Sequence, residues 1–312
     1  MSKELRTSVK IGRMEMKNPV TTASGTFGSG LDMTDYVDLN RLGAITIKGT
    51  TLTQRDGTLP PRIVESRSAI VASVGLENPG VDTVIRDIIP KVAKYDSPLI
   101  VNIGGSSVEE YAEVAKRLDT CEYVDAIEIN ISCPNLKKGG LGFGTDPEMA
   151  GSVVKAVRDS TEKTVIAKLT PGVTDITVIA RAAVENGAEA LTLSNGYPSI
   201  AIDINTKKPA LGNVQGGLCG PAIKPINMRL VWQASQAVDV PIIAVGGIVD
   251  GNDAVEYILA GASAVAVGTA NFLDPATTMN VIDGIEEYMR KNHFEDIHEM
   301  IGLAWKSKEK KI

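Results

Sequence analysis

A (β/α)8 barrel is the fold this sequence predicts, and three observations predict it. Eight short apolar runs are spread over the 312 residues: PVTTAS (19–24), AITIKG (44–49), PLIVNIG (98–104), AIEINIS (126–132), TVIAKLT (164–170), ALTLSN (190–195), PIIAVGG (241–247) and AVAVGTA (264–270). Runs that are apolar throughout, rather than alternating, read as parallel strands buried on both faces. Amphipathic helical patterns lie between most of them, as a βα repeat requires. The runs end in small or polar residues: Ser24, Lys48, Asn102, Asn130, Lys168, Asn195, Gly246-Gly247 and Gly268-Thr269. Those strand ends are where a barrel of this kind carries its chemistry. One barrel routinely takes a chain of this length, so residues 1–312 are read as a single domain.

Along the chain, residues 6–20 alternate apolar and polar around a Gly-Arg turn and predict a hairpin that closes the bottom of the barrel. Helices are predicted over 106–118, 146–160, 174–187, 227–238 and 250–261. Ser106 and Thr174 or Asp175 are the expected N-caps, and Gly187 and Gly261 the expected stops. Three connections, about 50–97, 133–147 and 196–222, exceed what a barrel needs and lie on the strand-exit side. Long connections there form lids and substrate walls. The middle one, CPNLKKGGLGFGTDP, carries four glycines and reads as mobile, and the tail KSKEKK (306–311) as a solvated end.

Composition removes several classes of function. The chain is 43% hydrophobic, 22% charged and carries a net charge of −6. It has no basic stripe for nucleic acid, no stretch of membrane-spanning length and no signal-peptide core at its start. A cytoplasmic protein is expected. The three cysteines, Cys121, Cys133 and Cys219, are far apart, so no metal site of the chain's own is expected. Both histidines, His293 and His298, follow the last strand. Acid–base work therefore falls to other groups.

Three constellations carry chemistry. The last two strands end in Gly-Gly and Gly-Thr, where a barrel commonly holds a phosphate on backbone N–H groups; plain turn glycines are the alternative. A sugar phosphate, PLP or FMN would fit equally. Lys168 ends an apolar strand, and a lysine is rarely buried without a partner or a task. That task is Schiff-base formation, or a fixed positive charge beside a group that becomes anionic; a snorkelling side chain is the bland reading. The segment NISCPN, Asn130 to Asn135, flanks one thiol with two carboxamides at the rim. Cys133 there can act as base or nucleophile, although a single cysteine is more often a small buried hydrophobe. Lys48 ends the second strand as Lys168 ends the fifth, and two lysines in one cleft imply an anionic ligand. Cys121 and Cys219 read as structural.

The segments ASGTFG (23–28), GLENPG (75–80), EINISCPN (128–135), GGLGFGTDP (139–147), AKLTP (167–171), GGLCGPAIKP (216–225), IIAVGGI (242–248) and GASAVAVGTA (261–270) together resemble class 1B dihydroorotate dehydrogenase, specifically its FMN-containing catalytic subunit. The resemblance runs over essentially the whole chain. It implies FMN held by Ser24, Lys48, Gly49, Asn102, Asn130, Lys168, Ser194, Gly220, Gly246, Gly247, Gly268 and Thr269. It implies Cys133 as the base that takes a C5 proton while hydride from C6 passes to flavin N5, with Lys168 stabilising the reduced flavin. Substrate would be held by Lys48, the segment Ala72-Ser73-Val74-Gly75-Leu76, Asn130, Asn135, Asn195 and Gly196. The resemblance further implies a homodimer, joined into a heterotetramer by a partner subunit that carries FAD and a [2Fe–2S] cluster and reduces NAD+.

Three departures cluster on the substrate side. Ala72 stands where the family usually has an asparagine, Gly196 where it usually has Thr or Ser, and Tyr-Pro-Ser (197–199) follows. Each lost hydrogen bond to a charged or buried group costs about 1–3 kcal/mol, unless Ser73, Tyr197 or Ser199 takes it over. Cys219, where the family usually has Ser, reads as a silent change. Dihydroorotate oxidation is the leading expectation. The alternatives are an FMN enzyme acting on another dihydropyrimidine or related heterocycle, a cofactor-free lyase using Lys168, and a non-catalytic scaffold.

Overall fold

In the computed structural model, residues 5–131 and 141–306 are described. The eight apolar runs are strands β1 (Val20–Thr22), β2 (Ile45–Thr50), β3 (Leu99–Ile103), β4 (Ala126–Asn130), β5 (Thr164–Leu169), β6 (Ala190–Leu193), β7 (Ile242–Val245) and β8 (Ala264–Val267). Their hydrogen-bonded order is β1-β8-β7-β6-β5-β4-β3-β2, all parallel. Val, Ile and Ala dominate these strands because both faces are covered, one by the barrel interior and one by the helices. The chain is thus an α/β barrel, as its sequence predicts.

The seam between β1 and β2 is closed largely by side chains. Thr22 Oγ1 accepts from the Thr46 N–H at 3.2 Å and donates to the Thr46 carbonyl at 3.3 Å. Thr21 Oγ1 donates to the Ala44 carbonyl at 2.8 Å and lies 3.0 Å from Thr46 Oγ1. A threonine hydroxyl can both donate and accept, so these residues supply what a short β1 strand cannot.

The hairpin is present as Val9–Ile11 against Met14–Met16. It closes the strand-entry end: Arg13 donates to Thr164 Oγ1 through its backbone and to the Glu162 carbonyl and Glu189 Oε1 through its guanidinium. The helices fall at Val108–Asp119, Pro147–Arg158, Ile176–Glu185, Lys224–Ala234 and Gly251–Ala260. Two details differ from expectation. Ser107, not Ser106, caps the first of these by accepting from Glu110 N, while Ser106 N donates to Glu110 Oε2 at 2.6 Å. The two serines share the reciprocal arrangement of a capping box. The fourth helix begins at Lys224 rather than 227, since Pro225 suits a first turn where no N–H is needed. Asp175 is the cap of the third.

The connections 50–97 and 196–222 are not irregular loops. They contribute Ile63–Ser66, Ala69–Ala72, Tyr197–Ile200 and Gln215–Cys219 to one antiparallel sheet, which forms a wall over the strand-exit end. The glycine-rich connection 133–147 lies outside the described residues up to 140, and a helix, Leu141–Thr145, follows it. No helix among the described residues is long and apolar enough to cross a membrane.

Substituting Thr22→Val keeps the shape but leaves the Thr46 N–H without its acceptor. A loss of about 1–3 kcal/mol is expected, read as a lowered denaturant midpoint with an unchanged slope. An unchanged midpoint would show that the seam does not depend on this pair.

Candidate active site

A cleft opens between the carboxyl ends of the barrel strands and the antiparallel sheet. Ser24, Lys48, Gly49, Asn102, Asn130, Lys168, Ser194, Asn195, Gly196, Gly246, Gly268 and Thr269 line it from the barrel side. Ala72, Val74, Gly75, Leu76 and Gly220 line it from the sheet and its connections. Two expected residues do not line it. Gly247 lies against the Lys224 backbone. Ser73 is fully buried, its N–H donating to the Arg62 carbonyl and its Oγ accepting from Asn213 Nδ2. Cys133 and Asn135 lie outside the described residues.

At the floor of the cleft, four neighbouring strands converge on one carboxylate. Glu128 on β4 accepts from Asn102 Nδ2 on β3 at 2.6 Å and from Thr192 Oγ1 on β6 at 2.7 Å. Lys168 Nζ on β5 lies 3.4 Å from Glu128 Oε1. All four residues are buried. A charge so enclosed is costly unless paired and hydrogen-bonded, and here both ions have partners. Sequence reading assigned Lys168 but passed over Glu128, although the signal was the same: one charged residue within an apolar strand, AIEINIS.

Higher up, Lys48 faces Glu77 at 4.0 Å, and Glu77 also takes a 2.5 Å bond from Arg62. Burial lowers the Lys48 ammonium from its ordinary value, Glu77 opposes that, and Arg62 adds to it. The three groups expected to replace the lost substrate contacts are engaged elsewhere. Tyr197 donates to Asn227 Oδ1 at 2.8 Å, Ser199 donates to the Gly216 carbonyl, and Ser73 is buried as described. Ser194 donates to the same Asn227 oxygen at 2.7 Å. Burial pushes the Tyr197 phenol up to about 12, with Arg229 opposing, so it is neutral at physiological pH.

Cys219, expected to be structural, is among the residues that line the cleft. A Cβ placed on Gly196 would lie 2.8 Å from Cys219 Sγ and 3.0 Å from Gly217 Cα. The bare backbone at 196 and the sulfur at 219 therefore form one packed unit, and a larger residue at 196 requires that wall to move.

Whether such a cleft suits a flavin is tested by its polar atoms. The isoalloxazine edge alternates carbonyl and N–H groups, so it needs both donors and acceptors. Asn102 Oδ1 is buried on the wall with no hydrogen-bond partner among the described residues, and supplies an acceptor. Lys168 supplies a donor and a positive charge. Gly49 keeps the acceptor clear, since a Cβ there would lie 2.9 Å from Asn102 Oδ1. Gly246, at φ +114°, adopts a backbone conformation that side chains disfavour, at the barrel end where phosphates commonly bind. The residues fit the group.

Fold and site thus define an α/β barrel whose strand-exit cleft carries donors and acceptors that fit a flavin, and comparison with known proteins narrows this. Residues 6–289 match the dihydroorotate dehydrogenase family. Proteins called dihydroorotate dehydrogenase B (NAD(+)), catalytic subunit, are 52% identical in Desulforamulus reducens, over 96% of this chain and 99% of that one, and 49% identical in Bacteroides thetaiotaomicron, over 95% and 97%. The crystal structure of Eimeria tenella dihydroorotate dehydrogenase in complex with ferulenol superposes with a TM-score of 0.81 at 25% identity, covering 96% of this chain and 88% of that one. The chain belongs to the dihydroorotate dehydrogenase family, on its class 1B catalytic-subunit branch. It is an oxidoreductase of a flavin-dependent family.

Burial raises the Cys219 thiol to about 11, with the Lys168 charge opposing. A raised value means less thiolate, so alkylation of Cys219 by iodoacetamide at pH 8 is expected about a hundredfold slower than that of a free thiol of ordinary pKa near 8.5. Peptide mass spectrometry over time checks it. Labelling at the free-thiol rate would contradict the assignment.

Proposed function

We propose that the chain oxidises (S)-dihydroorotate to orotate in pyrimidine biosynthesis, as an FMN-bearing catalytic subunit whose electrons reach NAD+ through a partner carrying FAD and a [2Fe–2S] cluster. The observation that carries the reading is the floor of the cleft: a buried lysine paired with Glu128 beside a carboxamide oxygen that has no partner among the described residues. The names of the relatives supply the substrate and the acceptor. FMN would be held by Ser24, Lys48, Gly49, Asn102, Asn130, Lys168, Ser194, Gly220, Gly246 and Gly268-Thr269, with Gly247 supporting the turn. When bound, FMN supplies an acceptor for the hydride that leaves substrate C6. Cys133, three residues past the end of β4, takes the C5 proton as thiolate. Lys168 holds a fixed positive charge where negative charge gathers. Lys48, Asn130, Asn195 and Asn135, with the backbone at Gly75-Leu76, orient the ring. The assembly is a homodimer that joins its partner as a heterotetramer in the cytoplasm.

A second reading, oxidation of a neutral dihydropyrimidine or related heterocycle, is favoured by one finding. The contacts absent at Ala72 and Gly196 are not made up by Ser73, Tyr197 or Ser199, whose polar groups are bonded elsewhere. Two missing bonds weaken orotate by roughly two to four orders of magnitude. Orotate and uracil titrated against the absorbance of bound FMN separate the readings. The leading one expects a spectral shift with orotate below millimolar concentration; no shift with orotate and a clear one with uracil would favour the second.

For the base, Cys133→Ala is expected to abolish dihydroorotate oxidation with FMN still bound, and Cys133→Ser to retain a small fraction. Activity should rise with pH as a thiol of ordinary pKa near 8.5 ionises. A flat profile between about pH 6 and 9 would remove Cys133 from this role.

A further inference from the structure

We infer that Glu128 is a positioning residue that sets the hydrogen-bonding polarity of the cleft floor, by turning the Asn102 carbonyl and the Lys168 ammonium toward the cofactor. The inference rests on the flavin reading above and deepens it, because neither the fold nor the relatives' names assign this carboxylate a task.

The argument begins with what each group can do. An ionised carboxylate only accepts hydrogen bonds, an ammonium only donates, and a carboxamide does one at each end. Glu128 Oε1 at 2.6 Å from the Asn102 amide can therefore be met only by Nδ2. That fixes the flip of the amide, and Oδ1 is left as the outward atom. It is the Asn102 atom found without a partner among the described residues, on the cleft wall beside Gly49. Were residue 128 a glutamine, the Lys168 ammonium would still select its carbonyl at this position, so the substitution removes the charge and leaves the shape.

The same oxygen holds Lys168. Nζ lies 3.4 Å from Glu128 Oε1, long for a hydrogen bond to a charged group, while both side chains are buried. The carboxylate thus compensates the charge without using all three donors of the ammonium. The other carboxylate oxygen is pinned by Thr192 Oγ1 at 2.7 Å, which stops the group from rotating. Asn102, Glu128, Lys168 and Thr192 sit on four consecutive strands, β3 to β6, so the barrel itself spaces them. The floor then presents an acceptor and a donor side by side, with a net charge near zero before substrate arrives.

Two variants of the full chain, each loaded with FMN, test this. In Glu128→Gln the negative charge is gone and the Lys168 charge is uncompensated. The dissociation constant for FMN, read by fluorescence quenching, is expected to rise at least tenfold. The reduction potential of the bound flavin is expected to move positive, because added electrons meet a more positive site. In Thr192→Val the charges stay but the pin is lost; FMN affinity should fall at least threefold with a potential close to wild type. A merely structural carboxylate would lower stability without moving the potential. If FMN-loaded Glu128→Gln keeps the wild-type potential, or if folded Thr192→Val keeps wild-type affinity, the inference is wrong. If the unaltered chain takes up no FMN, the functional reading itself fails, which is a different result.

Discussion

Four strands of the barrel meet at Glu128, and most of the chemistry of the cleft follows from how that carboxylate is satisfied. A buried carboxylate needs donors, and among the described residues Asn102, Lys168 and Thr192 supply them. For Thr192 the result is structural. For Asn102, drawing Nδ2 inward leaves Oδ1 on the cleft side, and for Lys168 a single long contact leaves other N–H donors of the same nitrogen available. An apolar set of the same volume would fill the barrel equally well, but the cleft floor would then have no polarity.

The rest of the architecture protects this arrangement. The hairpin shuts the strand-entry end through Arg13, and threonines close the seam between the first two strands. The antiparallel sheet from the two long connections covers the exit end, bringing Ala72, Gly217 and Cys219 over the cleft. Gly196 packs so closely on Cys219 and Gly217 that its missing side chain belongs to the shape of the wall.

Much of this was legible in the sequence because both signals involved are local. Apolar runs of six or seven residues mark buried parallel strands, and all eight contain barrel strands. A polar residue at the end of such a run marks the mouth, which is how Lys48, Asn102, Asn130 and Lys168 were found. What was not legible depends on partners distant in sequence. Within the connections 50–97 and 196–222 the pairings of Ile63–Ser66 with Ala69–Ala72 and of Tyr197–Ile200 with Gln215–Cys219 are local, but the one that joins them into a single sheet, Ala72 against Gly217, spans more than a hundred residues. Ser73 looked available but is bonded to Asn213, and Cys219 looked inert but reaches the cleft. Glu128 was visible as a charge inside an apolar strand, yet its significance lies in Thr192 and Asn102, on strands that the sequence cannot place beside it.

The most direct test of the central claim is a crystal structure of the chain with FMN bound, at a resolution that distinguishes amide nitrogen from oxygen. The account predicts Asn102 Nδ2 on Glu128, Asn102 Oδ1 within hydrogen-bond distance of a flavin N–H, and Lys168 Nζ against a flavin carbonyl or ring nitrogen. An amide turned the other way, or a flavin that meets neither residue, would contradict it.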